Sequence, residues 1–222
     1  LPKAKTEEKT HFKIIVPFYN SEKWIEKCIN SIKFQDYNNF KCYLIDDVST
    51  DSSAVFVEEM IDGDDRFSFI RNTEKKYALQ NIHDVVEHSE ADDNDVIVLL
   101  DGDDWFSSPS VLSKLDEVYE EPECWLTYGS YVMYPFGTRG IEPSEYPKEI
   151  IDNNSFREDK WRASHLRTFK HFLWKNLNKK DLKHENGNFY EMTYDQAIML
   201  PFLEMSGDRI RYIDHIMHVY NK

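Results

Sequence analysis

The feature that most constrains this chain is Val96-Ile97-Val98-Leu99-Leu100, followed at once by Asp101-Gly102-Asp103-Asp104. A run that is apolar at every position belongs to a strand covered on both faces, so the sheet that holds it needs helices on either side. Three upstream segments repeat a strand, loop and helix order. Phe12 to Val16 is a short β-branched strand stopped by Pro17, and Ser21 can cap a helix whose apolar positions Trp24, Ile25, Cys28, Ile29 and Ile32 keep the 3.6-residue period. Lys41 to Ile45 reads as a second strand, Asp46 to Asp51 as a polar loop, and Ser52 to Ile61 as a helix with Val55, Met60 and Ile61 available to pack. Phe67 to Arg71 is a third strand, leading into a helix near Ala78 to His88. This alternation predicts an α/β fold with a parallel sheet and right-handed crossovers, in which ligands sit beyond the carboxyl ends of the strands.

The second half is less regular. Ser110 to Tyr119 reads as a helix, Trp125 to Met133 as a strand, Leu166 to Leu177 as a helix, Asp195 to Met205 as an apolar helix containing Pro201, and Ile210 to Ile213 as a late strand. Residues 135–160 read as a long loop of the kind that forms lids. The polar residues 1–10 read as a flexible lead-in, and 11–222 as one domain. Acidic residues number 41 against 27 basic ones, a formal charge of −14. That balance argues against a nucleic-acid reader and means that a phosphate partner needs a cation. Apolar runs are only a few residues long, so no membrane span is expected and the chain reads as soluble. Cys28, Cys42 and Cys124 are too few and scattered for a disulfide framework or zinc site, with one bridge left open, and the compartment is not specified. The start at Leu1, with no leader after it, reads as an excised module or processed chain, part of a larger protein.

The Asp101-Gly102-Asp103-Asp104 turn crowds three carboxylates at a buried strand tip, which is electrostatically costly without a cation. Hard divalent ions prefer such oxygen ligands, and glycine lets another group approach the backbone closely. Capping of the next helix by Asp103 or Asp104 is the plainer alternative. Two further loops, Val16-Pro17-Phe18-Tyr19-Asn20 and Ile45-Asp46-Asp47-Val48-Ser49-Thr50-Asp51, fall at strand ends and can converge on the same crevice. In that order and at those strand ends, the three motifs resemble the family-2 glycosyltransferases of the GT-A fold. The resemblance covers residues 12–106 well and the second half in outline.

The resemblance implies a GT-A three-layer α/β sandwich with a mostly parallel central sheet, 11–106 forming the nucleotide-binding half and 107–222 the acceptor half. It implies that Pro17 and Tyr19 support and stack on a uracil and that Asp46 accepts a hydrogen bond from it, with Asp47 and Asp51 structural. Lys76 falls where the family places a basic residue beside the base or diphosphate. Asp103 matches the principal metal ligand and Asp101 a ribose or metal contact, while Asp104 only supports them. His165 and Arg167 are expected to touch sugar or phosphate. His218, preferred over His215, completes the metal shell. Asp195 is the candidate general base, with Glu191 in reserve, and Trp105 and Trp161 are candidate sugar platforms. The implied reaction is metal-dependent transfer of a hexose, with Mn²⁺ or Mg²⁺, from a UDP-sugar, UDP-glucose first. The acceptor is a hydroxyl on a glycan or protein-linked sugar, with collagen-type hydroxylysine as one option. Two rivals remain: a nucleotidyltransferase of similar fold, disfavoured because Val16 to Ser21 has neither glycine nor arginine, and a non-catalytic nucleotide-sugar-binding domain.

Overall fold

A computed structural model describes residues 8–222, so most of the expected lead-in lies outside the described residues. Its last three residues are already tied down. The Asn38 amide donates to Glu8 at 2.9 Å, Lys9 pairs with Glu120 at 2.9 Å, and the Thr10 amide donates to Asp116 at 2.8 Å.

The first half runs β1 (Phe12–Phe18), α1 (Ile25–Lys33), β2 (Phe40–Asp46), α2 (Ser53–Ile61), β3 (Phe67–Arg71), α3 (Tyr77–His88) and β4 (Val96–Leu99). The second adds β5 (Trp105–Phe106), α4 (Val111–Tyr119), β6 (Leu126–Tyr134), β7 (Thr138–Arg139), α5 (Lys148–Asp152), β8 (Arg167–Lys170), α6 (His171–Asn176), α7 (Tyr194–Ser206) and β9 (Ile210–Asn221).

Alternation along β1 and β4 creates the three layers. Phe12, Ile14, Val16 and Phe18, with Val96 and Val98, join Ile25, Cys28, Ile29 and Ile32 of α1, Val57 of α2 and Leu112 and Leu115 of α4 in one core. Ile15, Ile97 and Leu99 face the other way, onto Leu79, Ile82 and Val86 of α3, Trp174 of α6 and Ile198, Phe202 and Leu203 of α7. The sheet order is β3-β2-β1-β4-β8-β6-β9-β5, with β7 on β6. The strands β3, β2, β1 and β4 are parallel, as the sequence predicts; β8 is antiparallel to both β4 and β6. No helix among the described residues is long and apolar enough to cross a membrane, and the three cysteines are free and buried.

Four expectations from the sequence need correction. Residues 166–177 are not one helix: Arg167 to Lys170 form β8, wedged between β4 and β6, and only His171 to Asn176 are helical. The late strand continues to Asn221 because β6 offers a partner along most of its length, through a register shift near Ser130. Val55 is 53% exposed, and α2 packs through Ala54 and Val57 instead. The segment 135–160 contains β7 and α5 and is stitched down by Tyr146 and Phe156, which pack on each other at 5.0 Å in the second core.

The acidic turn after β4 is seated directly on the end of β1. The Gly102 amide donates to the Pro17 carbonyl at 3.1 Å, and a Cβ on Gly102 would lie 2.4 Å from Phe18 Cβ. Gly102→Ala must therefore push the two turns apart, and the expected cost is about 1–3 kcal/mol, as for other overpacked sites. Urea denaturation measures it; an unchanged midpoint would show that the two turns are not in tight contact.

Candidate active site

The loops after β1, β2 and β3 enclose a small cavity of about 150 Å³ lined by Pro17, Phe18, Tyr19, Asp47, Lys75, Tyr77, Ala78 and Asn81. Its floor is built by Asp47, buried at the end of β2. The Asp47 carboxylate accepts from the amides of Lys76 and Tyr77 and from Asn72 Nδ2, each at 2.9 Å, so it holds the start of α3 over the β1 loop. Burial raises its pKa, but the Lys76 amide and its other hydrogen-bond donors outweigh that and hold Asp47 below the usual carboxylate range. Tyr19 is half exposed, with Lys75 Nζ 3.0 Å from its ring centroid, a cation–π contact.

Two expected contacts lie elsewhere. Asp46 is not in the lining of this cavity: it accepts from the Ser49 amide at 2.8 Å and sits 3.7 Å from Arg71. Lys76 pairs with Asp84 at 2.9 Å and lines a separate cavity of about 250 Å³ with Tyr43, Ile70 and His88. Asp47 and Lys75 are the acid and base that the geometry brings to Tyr19. Sequence reading could have separated each pair only by knowing where strand and helix begin, because a one-residue shift reverses the face.

The acidic turn lies at the tip of β4, and each of its carboxylates meets a different environment. Asp101 accepts from the Tyr194 hydroxyl at 2.8 Å to both carboxylate oxygens. Burial and the Asp104 charge push its pKa up, against Arg167 and Tyr194. Asp104 is fully committed, with one oxygen 2.8 Å from His218 Nε2 and the other accepting from the Asn221 amide at 2.8 Å. Asp103 is exposed and has no such partner; desolvation, then the charges of Asp104 and Asp101, push its pKa up to about 6.

The expected metal ligands are tested by this geometry. With Nε2 bonded to Asp104, the buried Nδ1 of His218 has no partner, which is the orientation in which a carboxylate prepares a histidine to ligate. Together with an unpaired Asp103 among mutually repelling carboxylates, this donor set fits a hard divalent ion with oxygen and imidazole ligands. The atoms that cluster within 4.8 Å of one another are those of Asp104, His165 and His218 rather than Asp101, Asp103 and His218. His215 is exposed beside Lys114, well apart from this turn in its bonding.

His165 stacks on His218 with ring centroids 4.4 Å apart, and its Nε2 accepts from Arg167 at 3.0 Å. Burial first, then the Arg167 and His218 charges, keep it neutral. It thus packs beside the acidic turn, against the histidine that Asp104 holds. Arg167 is buried on β8 and lies 3.6 Å from Asp195, which opens α7 next to Tyr194. Glu191 is exposed in the preceding segment. Neither tryptophan forms an open platform: Trp105 is 6% exposed between Trp24 and Tyr134 under Lys27, and Trp161 packs against the second core. Arg167 and Tyr194 carry the joint between the turn and α7. Of these, Tyr194 gave no sequence signal beyond its place before Asp195.

The sequence matches glycosyl transferase family 2 over residues 13–183. The chain belongs to that family. Glycosyltransferase GlyA of Streptococcus pneumoniae serotype 4 is 24% identical over 163 residues, covering 70% of this chain and 22% of GlyA, so the chain spans about a fifth of that relative. Among solved structures, S. aureus TarS 1-349 in complex with UDP-GlcNAc aligns with a TM-score of 0.71 at 19% identity, covering 96% of this chain and 59% of that one. Mannosyltransferase PcManGT from Pyrobaculum calidifontis, in complex with GDP-Man and Mn²⁺, aligns with a TM-score of 0.64 at 17% identity, covering 98% and 60%. These likenesses show the GT-A fold.

The raised pKa of Asp103 has a consequence for stability. An unfolded aspartate titrates near 3.9, so ionised Asp103 weakens the metal-free fold above about pH 6 and ceases to do so as pH falls towards 4. In chelator at pH 7.5, Asp103→Asn is expected to melt above the wild type, with the gain shrinking as the pH is lowered through that window. A gain of constant size from pH 7.5 to 4 would show that like-charge repulsion at this turn is not its source.

Proposed function

We propose that this crevice transfers a hexose from a UDP-sugar, with glucose as the first sugar, to a hydroxyl of a glycan or protein-linked sugar. The observation that carries the reading is the Tyr194 to Asp101 hydrogen bond, which ties Asp195 to the acidic turn beside the Tyr19 and Asp47 cavity. Tyr19 offers a π face to a uracil and Asp47 an acceptor for its N–H, taking the role that the sequence assigned to Asp46. The TarS complex with a UDP-sugar on the same fold supports the choice of uridine.

Asp195 would take the proton of the acceptor hydroxyl as its oxygen attacks the anomeric carbon. The carbon–oxygen bond to the β-phosphate breaks, its electron pair leaves with UDP, and attack from the opposite face inverts the anomeric centre. Lys75, close to the cavity, can swing to the diphosphate. Asp103 and His218 Nδ1 would hold a divalent ion, with Asp101 and Asp104 buttressing them; Mn²⁺, present with PcManGT, is the first choice. Such an ion supplies electrostatic stabilisation of the charge that grows on UDP. Tyr194 and Arg167 keep Asp195 and Asp101 in fixed relation throughout.

The test is a screen of nucleotide sugars with glycan acceptors and a hydroxylysine peptide, in Mn²⁺ or chelator, following nucleotide release. UDP-sugars should turn over in preference to GDP-mannose, and chelation should reduce the rate at least about tenfold. Asp195→Asn should lower kcat by about 10²–10⁴-fold with UDP affinity retained. Metal-independent UDP binding with no turnover of any sugar would instead make this a non-catalytic binding domain.

A further inference from the structure

We propose that Arg167 is a positioning residue that fixes the separation between Asp195 and Asp101, so that the rate of transfer depends on it while nucleotide affinity does not. The proposal rests on the reading of Asp195 as the base. Arg167 lies on β8 directly across from Leu99 of β4, two residues before Asp101, and is thus held by the central sheet. A guanidinium only 3% exposed is costly to bury, and its Nε has no partner. Its two other nitrogens reach three groups of the site. Nη1 donates to the Tyr194 hydroxyl at 3.4 Å, while Nη2 donates to His165 at 3.0 Å and lies 3.6 Å from the Asp195 carboxylate. The Tyr194 hydroxyl in turn donates to both oxygens of Asp101.

This fork matters because α7 enters the site from a poorly supported approach. Glu191, Met192 and Thr193 are exposed, and Thr193 takes a left-handed φ of 56°. Asp195 sits in the first turn of α7, where the helix has fewest of its own hydrogen bonds to hold it. Arg167 replaces that missing support with a rigid strand position, shared between the base and, through Tyr194, the acidic turn. A lysine at 167 would keep the charge but has no planar fork to span both Tyr194 and Asp195. The Tyr19 and Asp47 cavity contains no atom of this network, so uridine binding has no reason to follow it.

The experiment compares Arg167→Met, Arg167→Lys, Tyr194→Phe and the Arg167→Met/Tyr194→Phe pair for kcat on a turned-over UDP-sugar and for UDP affinity by calorimetry. Arg167→Met should lower kcat about 100-fold, the scale of a displacement near 1 Å, with the UDP Kd within about twofold of wild type. Arg167→Lys should recover part of the loss, and the pair should lose less than the product of the two single losses, because both residues belong to one linked network between Asp195 and Asp101. A kcat for Arg167→Met within about threefold of wild type would overturn the proposal, and so would a parallel fall in UDP affinity, the mark of general damage. Should Arg167→Met not fold, Arg167→Lys and Tyr194→Phe carry the same test. Full activity of Asp195→Asn would remove the base assignment and this proposal with it. If the wild type turns over no sugar, the functional reading fails separately, and amide hydrogen exchange decides the structural part. Exchange at Ala197 to Met199 should speed about tenfold in Arg167→Met, and unchanged exchange there would refute the anchoring role.

Discussion

Like-charge repulsion at the tip of β4 is the constraint that the second half of the chain is arranged to manage. Asp101, Asp103 and Asp104 crowd one turn, and their negative charges repel one another unless partners meet them. The fold answers two of them from distant sequence: β9 returns to deliver His218 and the Asn221 amide to Asp104, and α7 docks Tyr194 on Asp101. Asp103 is left exposed without such a partner. The antiparallel pairing of β5 with β9, a contact of only two residues on the β5 side, is what places His218 opposite Phe106 and hence beside Asp104. An isolated two-residue strand contributes little to stability, so its value lies in this placement.

How much of this was legible in the sequence follows from how local each signal is. β1 to β4 and α1 to α3 could be read because their patterns alternate on a short scale and end in proline or polar loops. β8 could not. Thr168 and Phe169 suit a strand, but Leu166, Phe169, Leu173 and Leu177 also recur at helical spacing. What decides the matter is pairing with β4 and β6, elements about 70 and 40 residues away. The same limit applies within the site. His218 could be singled out by type, whereas which of Asp46 and Asp47 lines the Tyr19 cavity is a one-residue question of register at the end of β2.

The loops of the crevice are built under strain. Asn20, Val48, Tyr77 and Thr193 all adopt left-handed φ between 50° and 67° without being glycine. For a valine or tyrosine this costs on the order of 1 kcal/mol or more, and it persists only where surrounding contacts over-determine the backbone. Those contacts are visible: Asn20 exchanges hydrogen bonds with Ser49 and Thr50, and the Tyr77 amide is held by Asp47. Three loops are thereby locked to one another before any ligand arrives. A site so arranged loses little entropy when a flat, charged ligand enters, which is how a small cavity can still bind well.

The division of labour between the halves explains why their sequences differ in readability. Every side chain lining the cavity at Tyr19 comes from residues 17–81, segments that also form the parallel half of the sheet, so this cavity is built by the elements that define the fold. Asp195, Arg167, Tyr194 and His218, by contrast, come from strands and a helix joined by irregular segments. Their positions relative to the acidic turn are set by a few long-range bonds instead of by a repeated local pattern. The stretch between β7 and β8 belongs to this long-range network, since His165 accepts from Arg167 and Tyr146 and Phe156 pack in the second core. Contacts made once, between residues far apart in the chain, are what a sequence pattern describes least.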